Sequence, residues 1–585
     1  LLLMGGIVGR LLREFAVTMS VAILVSMVIS LTATPMMCAY LLKAHQSHGR
    51  LYTATENAFN AVINMYGRTL SVVLRHPLPT LLVLLCTTAL NVYLFIRVPK
   101  GFFPQQDTGR VMGQILADQD TSFQALDRRL RQVVSIVAAD PAVSTANGFA
   151  GSSVGMTNSA RMFISLKPLG ERNISADLVI ARLRPKLARV PGASVYLQAL
   201  QDVRVGGRAS AAQYQFTMRG ENLQDLNTYA PRMFARLRTV PVIADVNSDQ
   251  QNRGLQTYIE YDRQTAARFA ISPDLLDSTL SDAFAQRQVS TMFTSLNQYH
   301  VVMEVAPEYW QDPQTLRTLY VQAPDGSEVP LSAIAHHAPG NAPLAINHQG
   351  LFPSVTVSFN LKPGVALGDA VDEITRVSNE VGLPPTIQTM FAGTAQAFQQ
   401  SLANEPVLIV AALIAVYLVL GILYESLIHP ITILSTLPSA GVGALLALIL
   451  TRTELSIISM VGIILLIGIV KKNAIMMIDF AIAAERNEGK NARDSIFEAS
   501  VLRFRPILMT TMAALLGAVP LAVGTGTGSE LRRPLGITII GGLIVSQILT
   551  LYTTPVVYLY FDRWQQWWIR VWKRSSRNPI PSEEA

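Results

Sequence analysis

Two adjacent lysines lie deep inside a long apolar stretch of this sequence. Lys471 and Lys472 are the 17th and 18th residues of the stretch Leu455–Ile482. A lysine at bilayer depth costs roughly 2.5–3.5 kcal/mol on insertion scales, so we expect both side chains to face water or protein and to serve a function. Asp479 follows Lys472 by seven residues. It therefore lies on the same helix face, but about 10.5 Å further along the axis, which is too far for a close ion pair.

A membrane lysine beside carboxylates is suited to proton coupling. Protonation of a carboxylate removes its attraction for the ammonium group, and the helices can then repack. One charge that moves down the membrane potential yields about 2.3 kcal/mol per 100 mV. The other six apolar stretches contain no Asp or Glu, so the sequence predicts a partner carboxylate from outside this chain, and we expect the chain alone not to transport. The alternative is that both lysines reach the cytoplasmic interface.

Charge is distributed very unevenly along the 585 residues. Half of the residues are apolar and only 15% are charged, against about 25% in soluble domains. Runs of 18 or more apolar residues predict transmembrane helices. Seven such spans are predicted: Phe15–Leu42, Leu78–Ile96, Pro406–Tyr424, Ser426–Thr451, Leu455–Ile482, Pro506–Ser529 and Pro534–Phe561. The sequence starts with three leucines rather than with Met, and we expect it to be a piece of a longer chain.

Basic residues in the short connections predict the orientation. Residues 43–77, 483–505 and 562–585 are rich in Lys and Arg, which favours the cytoplasmic side. Residues 51–74 alternate apolar and polar side chains at helical spacing, so the unit 44–77 is predicted to form a helix on the cytoplasmic membrane face; a soluble linker helix is the alternative. The predicted membrane units are 1–43, 78–98 and a five-helix bundle at 396–561, and residues 562–585 form a cytoplasmic tail.

The region between the second and third spans has the composition of a soluble protein. Its strand-like and helical runs follow the order βαββαβ twice, which is the arrangement of ferredoxin-like domains. The first copy covers 99–209. The second covers 210–261 and 351–395, and residues 262–350 interrupt it with the length of a small inserted domain.

Most enzyme classes find no support in the sequence. The glycine-rich segment 524–528 lacks the Gly-Lys-Ser/Thr of a phosphate-binding loop, and His336-His337 lacks a third metal ligand at a plausible spacing. The only cysteines, Cys38 and Cys86, lie in predicted spans, where they pack as small apolar residues. No cofactor and no catalytic residue are expected, and the net charge of +7 is assigned to the cytoplasmic rim rather than to nucleic-acid binding.

Several phrases resemble one transporter superfamily. They are Gly101-Phe102-Phe103-Pro104, Asn147-Gly148-Phe149-Ala150-Gly151, Tyr424-Glu425-Ser426, Lys472-Asn473-Ala474-Ile475 and Arg503-Phe504-Arg505-Pro506-Ile507-Leu508-Met509-Thr510. The chain resembles the resistance–nodulation–division (RND) inner-membrane transporters of the AcrB/AcrD/AcrF type. Lys471-Lys472 and the segment 528–535 look most like the MdtB/MdtC subgroup.

The resemblance implies a proton-driven antiporter of the Gram-negative inner membrane. Its substrates would be amphipathic small molecules such as antibiotics, bile salts or detergents. Its partners would be a related RND subunit in a hetero- or homotrimer, a periplasmic adaptor protein and an outer-membrane channel. The fold would be a polytopic α-helical membrane protein with a large periplasmic α+β region: two ferredoxin-like porter subdomains with the docking subdomain at 262–350.

The resemblance also implies roles for six residues. Lys472, Asn473, Arg503 and Thr510 match a proton relay, and Phe149 and Phe163 match a phenylalanine-rich drug pocket. A strand residue in the protein core is the alternative for Phe163. Two other functions stay open: heavy-metal efflux, with Met476 and Met477 as candidate ligands, and a periplasmic sensor or export accessory, which would have no need of the membrane lysines.

Overall fold

Long apolar helices and small antiparallel sheets make up the chain. The computed structural model describes residues 6–41, 50–151, 157–203, 205–310 and 312–575; the ends of the predicted units at 1–5, 42–49 and 576–585 lie outside these ranges. The α-helices are α1 Gly6–Leu41, α2 Arg50–Arg75, α3 Pro77–Arg97, α4 Phe123–Ala138, α5 Leu169–Arg172, α6 Ala176–Leu187, α7 Leu223–Leu237, α8 Arg263–Arg268, α9 Pro273–Phe284, α10 Pro307–Trp310, α11 Leu331–Ile334, α12 Leu367–Val381, α13 Thr394–Tyr424, α14 His429–Leu434, α15 Leu437–Leu450, α16 Ile457–Glu488, α17 Ala492–Val523 and α18 Ser529–Ser575. The strands are β1 Arg110–Ala117, β2 Val143–Ala150, β3 Ser159–Leu166, β4 Ala193–Ala199, β5 Tyr214–Gly220, β6 Ile243–Ser248, β7 Gly254–Tyr261, β8 Arg287–Phe293, β9 Gln298–Met303, β10 Tyr320–Gln322, β11 Glu328–Pro330, β12 Ala335–Ala342, β13 His348–Gln349, β14 Phe352–Leu361 and β15 Ile387–Ala392.

The seven predicted membrane spans are confirmed. Within the described ranges, seven helical segments are long and apolar enough to cross a bilayer: α1, α3, α13, α14 with α15, α16, α17 and α18. The fourth span consists of two helices, α14 and α15. A turn at Ser435–Thr436, just before Pro438, separates them. Helices α17 and α18 extend beyond their apolar stretches into charged sequence, since charge ends the lipid-embedded part of a helix but not the helix itself.

Helix α2 packs on the ends of the membrane bundle. Its Tyr66 and Leu70 are buried in an apolar cluster with residues of α16, α17 and α18. The Tyr66 hydroxyl donates to the carbonyl of Leu551 at 2.8 Å. Nearer the start of α2, both carboxylate oxygens of Glu56 accept hydrogen bonds from the Arg505 guanidinium, at 2.9 and 3.0 Å. The predicted helix therefore forms, and it is anchored to α17 and α18 by contacts as well as by its amphipathic pattern.

The first ferredoxin-like unit is a four-stranded antiparallel sheet in the order β2-β3-β1-β4. Alternate residues of each strand point to one face, where α4 and α6 cover them. Val111 and Ile115 of β1 meet Leu126 and Leu130 of α4 in this core. Among the described residues no helix packs on the opposite face of the sheet, where Phe149 and Phe163 are exposed.

The second unit has the order β13-β14-β5-β15, with β6 paired to β14. Helices α7 and α12 cover one face. Strand β7, which lies at the end of the range 210–261 predicted for the second copy, pairs instead with β12 in a separate two-stranded ribbon. The sequence placed it in the second copy because β7 follows β6 closely, whereas its partner residues lie about eighty positions further on.

The inserted region has its own small core. Ala266, Leu276, Val321 and Ile334 are buried together in it. Two short hairpins, β8-β9 and β10-β11, complete the region. The β7–β12 ribbon joins it to the second sheet unit.

Candidate functional site

Two of the three membrane charges, Lys472 and Asp479, lie along one open face of α16. Lys472 and Asp479 are exposed in this chain and Lys471 is half-buried. Lys472 forms no ion pair with any residue in the described ranges. Arg503 of the neighbouring helix α17 places its guanidinium carbon 3.9 Å from the centre of the Phe480 ring, and its Nε is buried without a partner among the described residues. The structure thus brings Arg503 beside the α16 face that carries Lys472 and Asp479.

Asn473 lies about 100° around α16 from Lys472 and points into the bundle. Its side chain is 6% exposed. The amide nitrogen donates to the Thr511 hydroxyl at 3.1 Å and to the Gln547 side-chain oxygen at 3.2 Å. Thr511 also donates to that oxygen, at 2.7 Å. These three side chains tie α16, α17 and α18 together, and they hold the α16 backbone next to Lys472 in a fixed register.

Thr510 does not join this network. Its hydroxyl donates to the carbonyl of Ile507 on its own helix at 3.1 Å, and it follows Arg503 by seven residues, which places both on one face of α17. The adjacent Thr511 makes the contact with Asn473 instead. Sequence reasoning missed Thr511 and Gln547, although a Gln in the middle of an otherwise apolar span was a signal that could have pointed to the second of them.

Phe149 and Phe163 stand on the open face of the first sheet. They are 59% and 46% exposed, and their ring centres are 6.1 Å apart in an edge-to-face arrangement. Phe149 lies directly opposite Arg161 across the β2–β3 pair, and Phe163 lies opposite Met112 across the β1–β3 pair. Since Phe163 is exposed, it is not a residue of the sheet's core.

A tight joint connects the sheet units to the membrane bundle. The segment after α3 bonds to the residues before α16: the Gly101 N–H donates to the Leu455 carbonyl at 3.1 Å and the Ile457 N–H to the Phe102 carbonyl at 3.0 Å. A Cβ at Gly101 would lie 2.0 Å from a carboxyl oxygen of Glu454. A side chain at this position would therefore displace the Glu454 carboxyl group.

Glu454 faces a cavity of about 470 Å³ beneath the two sheets. Burial, assisted by the nearby charge of Asp369, raises the pKa of Glu454 to about 7. No described residue forms an ion pair with it. A carboxyl group held in this way prefers its neutral form in the folded protein.

Replacement of Glu454 with Gln should flatten the pH dependence of stability. The pKa of Glu454 in the folded protein lies above its ordinary value of 4.5, so its stabilising effect is complete below pH 4.5 and is lost as the pH rises through about 7. Between pH 5 and 8 the unfolding temperature of the native chain should fall by about 2 °C more than that of Glu454→Gln. Glu328→Gln, at an exposed position, is the matched control. Equal pH profiles for the native chain and Glu454→Gln would contradict this assignment.

The chain is similar to one protein family and to several of its members. The model of the AcrB/AcrD/AcrF family matches residues 1–562. The chain is similar to multidrug resistance protein MdtC of Yersinia enterocolitica serotype O:8 / biotype 1B, with 57% identity over 96% of this chain and 55% of the relative. MdtC of Yersinia pestis is 56% identical over the same shares. The chain spans about half the length of the curated relatives it matches.

A solved structure shares the fold. The crystal structure of a heavy metal efflux pump superimposes with a TM-score of 0.78 over 86% of this chain and 53% of that one, at 23% sequence identity. At this identity the likeness concerns the fold alone: a seven-span membrane bundle that carries α+β sheet units.

Proposed function

Because this chain belongs to the AcrB/AcrD/AcrF family of RND transporters, we propose that it is the proton-coupling and substrate-binding part of a multidrug efflux pump. It would act as a secondary active transporter and not as an enzyme, exchanging protons for amphipathic small molecules such as antibiotics, bile salts or detergents. The relatives carry the name multidrug resistance protein, which supports this substrate class.

The observation that carries the proposal is the state of Lys472. The side chain lies near the middle of a membrane helix, is exposed on the α16 surface and has no anionic partner among the described residues. The neighbouring Asn473 fixes the helix through Thr511 and Gln547. A charge of this kind is stable in a bilayer only with a counter-charge or water. We therefore infer that a carboxylate of a further helix faces Lys472 in the assembled transporter, and that proton binding to that carboxylate breaks the pair.

Arg503 and Thr510 fit the same proposal as secondary members of the relay. Arg503 lies against Phe480 beside the Lys472 face, and Thr510 follows on the same face of α17. The distance along α17 is about 10.5 Å, so a proton path between them would need water molecules.

The proposed substrate route lies in the sheet units. Phe149 and Phe163 offer two exposed, mutually packed rings, which suits the apolar part of a substrate. The proposed setting is the Gram-negative inner membrane with the sheet units in the periplasm. There the chain would work in a trimer with a related RND subunit, together with a periplasmic adaptor and an outer-membrane channel.

Efflux from a pump-deficient Gram-negative host tests the proposal. The host would express this chain joined to the half that its relatives possess in addition, and the cells would be loaded with a fluorescent amphiphile. We expect active efflux that a protonophore abolishes, and resistance to several unrelated drugs. Efflux that continues without a proton gradient would overturn antiport. Resistance to zinc or copper salts alone, with no drug resistance, would indicate heavy-metal efflux instead.

A further inference from the structure

A line of hydroxyl groups runs along the buried side of α18. Ser546, Thr550, Thr554 and Tyr558 follow one another at intervals of four residues, so each lies next to the following one on the helix surface. All four are at most 2% exposed, and we call them the hydroxyl ladder. The ladder covers about 18 Å of the helix axis, from the middle of the bundle to the end that is predicted to be cytoplasmic.

The wall opposite the ladder belongs to α14 and the start of α15, which both pack on α18. It contributes four polar side chains: His429, Thr432, Thr436 and Ser439. Its three hydroxyl residues are at most 1% exposed. The walls meet at both ends, since the hydroxyls of Ser439 and Ser546 lie 3.4 Å apart and the His429 ring stacks on that of Tyr558 with 5.9 Å between the ring centres. We call the two walls together the hydroxyl seam.

The hydroxyls of the seam keep free acceptor positions. Thr432, Thr436 and Ser439 donate to backbone carbonyls three or four residues earlier, at 3.3, 2.8 and 2.6 Å. On the ladder, Ser546 and Thr550 share one hydrogen bond of 3.1 Å. A hydroxyl has one donor and two acceptor positions. Each of these oxygens can therefore still accept a hydrogen bond.

One member of the ladder has no hydrogen bond at all. The Thr554 hydroxyl is completely buried and has no partner among the described residues. An unpaired buried hydroxyl costs about 1–3 kcal/mol. Water molecules commonly bond to buried polar groups that the protein leaves unpaired. A seam lined by hydroxyls on both walls offers such a water the several polar partners that it needs.

The inner end of the seam adjoins the membrane charges. Gln547 follows Ser546 in the chain, and its side-chain oxygen accepts from Asn473 and Thr511. Asn473 in turn is the neighbour of Lys472 on α16. The side-chain nitrogen of Gln547 is buried and has no partner among the described residues. A donor is therefore available between the α16 face and the ladder.

The outer end of the seam reaches a carboxylate. The Tyr558 hydroxyl donates to the side chain of Glu485 on α16 at 3.0 Å, and Glu485 is half-buried. The other charged groups that face Tyr558 and His429 are Arg486 of α16 and Asp562 of α18. Glu485 is thus the first carboxylate that a proton would reach from the ladder.

We propose that the hydroxyl seam conducts protons from the Lys472 end of the bundle to the cytoplasm, and that Glu485 releases them. Water molecules between the walls pass the proton on: each oxygen accepts a proton on one side and gives up the proton that it held on the other. At the outer end, Tyr558 takes up a proton from the seam as it gives its own to the Glu485 carboxylate. Glu485 then releases that proton to cytoplasmic water, so every group returns to its starting state. This inference rests on the proposed efflux function and adds an exit route to it.

Two substitutions of Thr554 separate proton conduction from packing. Valine keeps the shape of threonine and removes the hydroxyl, whereas serine keeps the hydroxyl and removes a methyl group. We expect Thr554→Val to lower the proton flux about tenfold and Thr554→Ser to stay within about twofold of the native transporter. A role in packing alone would give the reverse order, because only serine leaves a cavity.

The flux is measured on the transporter that contains this chain and the further half of its relatives. It is reconstituted in liposomes with the sheet units outside and the pH-sensitive dye pyranine inside. An acidic outer buffer supplies the gradient, a fluorescent amphiphile starts transport, and the fall of the internal pH reports the proton flux. Affinity for the same amphiphile, from fluorescence polarisation, should be equal in all variants because the seam lies in the membrane.

Two further variants assign the effect to the seam. Thr538→Val is the matched control: Thr538 is also completely buried on α18, but it lies nearer the other end of the helix, and its hydroxyl donates to the Pro534 carbonyl at 3.0 Å. This variant should keep the native flux. Glu485→Gln keeps an acceptor for Tyr558 but cannot take up a proton, so the flux should fall about tenfold.

Native flux in Thr554→Val would overturn the seam as the proton route, and so would equal losses in Thr554→Val and Thr538→Val or a larger loss in Thr554→Ser. In each of these cases the native transporter still couples protons to efflux, and the proposed function stands. Efflux by the native transporter without any proton flux would overturn both the proposed antiport and the seam.

Discussion

Replacement of Lys472 with alanine is expected to abolish drug resistance in a transporter that contains this chain and the further half of its relatives. Susceptibility should return to the level of the pump-deficient host without transporter. The physical reason lies in the proposed relay, in which the carboxylate releases the Lys472 ammonium group when it is protonated. With alanine at this position, protonation would change no ion pair and would not bias the conformational cycle. The measurement is drug susceptibility at equal expression.

The adjacent lysine supplies a matched control. Lys471 is half-buried and lies about 100° around the helix from Lys472, away from the stripe shared with Asp479. Lys471→Ala should therefore retain most of the resistance, although both variants remove one membrane charge. Undiminished resistance in Lys472→Ala would remove this lysine from the relay, and equal losses in both variants would mean that the two lysines act together.

The membrane part of the fold was predictable to a large extent because hydropathy acts locally. Each of the seven spans follows from the composition of one continuous stretch. Helix lengths were predicted less well: α17 begins at Ala492, whereas the apolar stretch begins at Pro506. Helical hydrogen bonding continues through the charged residues between them, and hydropathy does not report on it.

Contacts between distant segments were not predictable in the same way. The β7–β12 pair joins residues about eighty positions apart, and no local pattern specifies such a partner. For the same reason Asn473 was identified while Thr511 and Gln547 were not. Periodicity places a side chain on a face of its own helix, but the rotation and height of a neighbouring helix depend on packing across the whole bundle.

The residues of the candidate site also fall into those that the sequence predicted and those that only the structure revealed. Lys472 was identified because a charged side chain is costly in a bilayer. That cost depends only on one residue and the apolar stretch around it. The cavity that Arg161 and Asn247 line together could be found only once the two sheets were placed face to face, because these residues belong to different units. Sequence reasoning therefore located the two phenylalanines but missed this cavity.

The packing of α15 against α18 leads to the second large expected effect. Gly443 of α15 and Gly541 of α18 meet at backbone distance: a Cβ at Gly443 would lie 2.4 Å from the Gly541 carbonyl oxygen. A Cβ at Gly541 would lie 2.3 Å from the Ala447 Cβ and 2.6 Å from the Gly443 carbonyl oxygen. Small residues permit this close approach of membrane helices, and van der Waals contact between the backbones then stabilises the pair.

Replacement of Gly443 with alanine should lower the free energy of unfolding by about 2 kcal/mol. The obstructing atom belongs to the backbone of α18, so no side-chain rotation relieves the overlap and the helices must separate, at a cost of about 1–3 kcal/mol for one inserted methyl group. Ser439 and Ser546, whose hydroxyls lie 3.4 Å apart one turn away, would lose their hydrogen bond in the same movement. Unfolding of the purified chain in detergent, followed by helical circular dichroism, measures the effect.

Gly468→Ala separates this steric effect from helix propensity. Gly468 lies within α16, and a Cβ there would meet no atom within 4 Å. Alanine favours a helix over glycine by about 1 kcal/mol, so Gly468→Ala should leave the chain as stable as the native one or slightly more stable. The two variants make the same chemical change in membrane helices and should shift stability in opposite directions. If Gly443→Ala matches Gly468→Ala, α15 and α18 do not meet at backbone distance. The register that brings Asn473, Thr511 and Gln547 together would then need a different support.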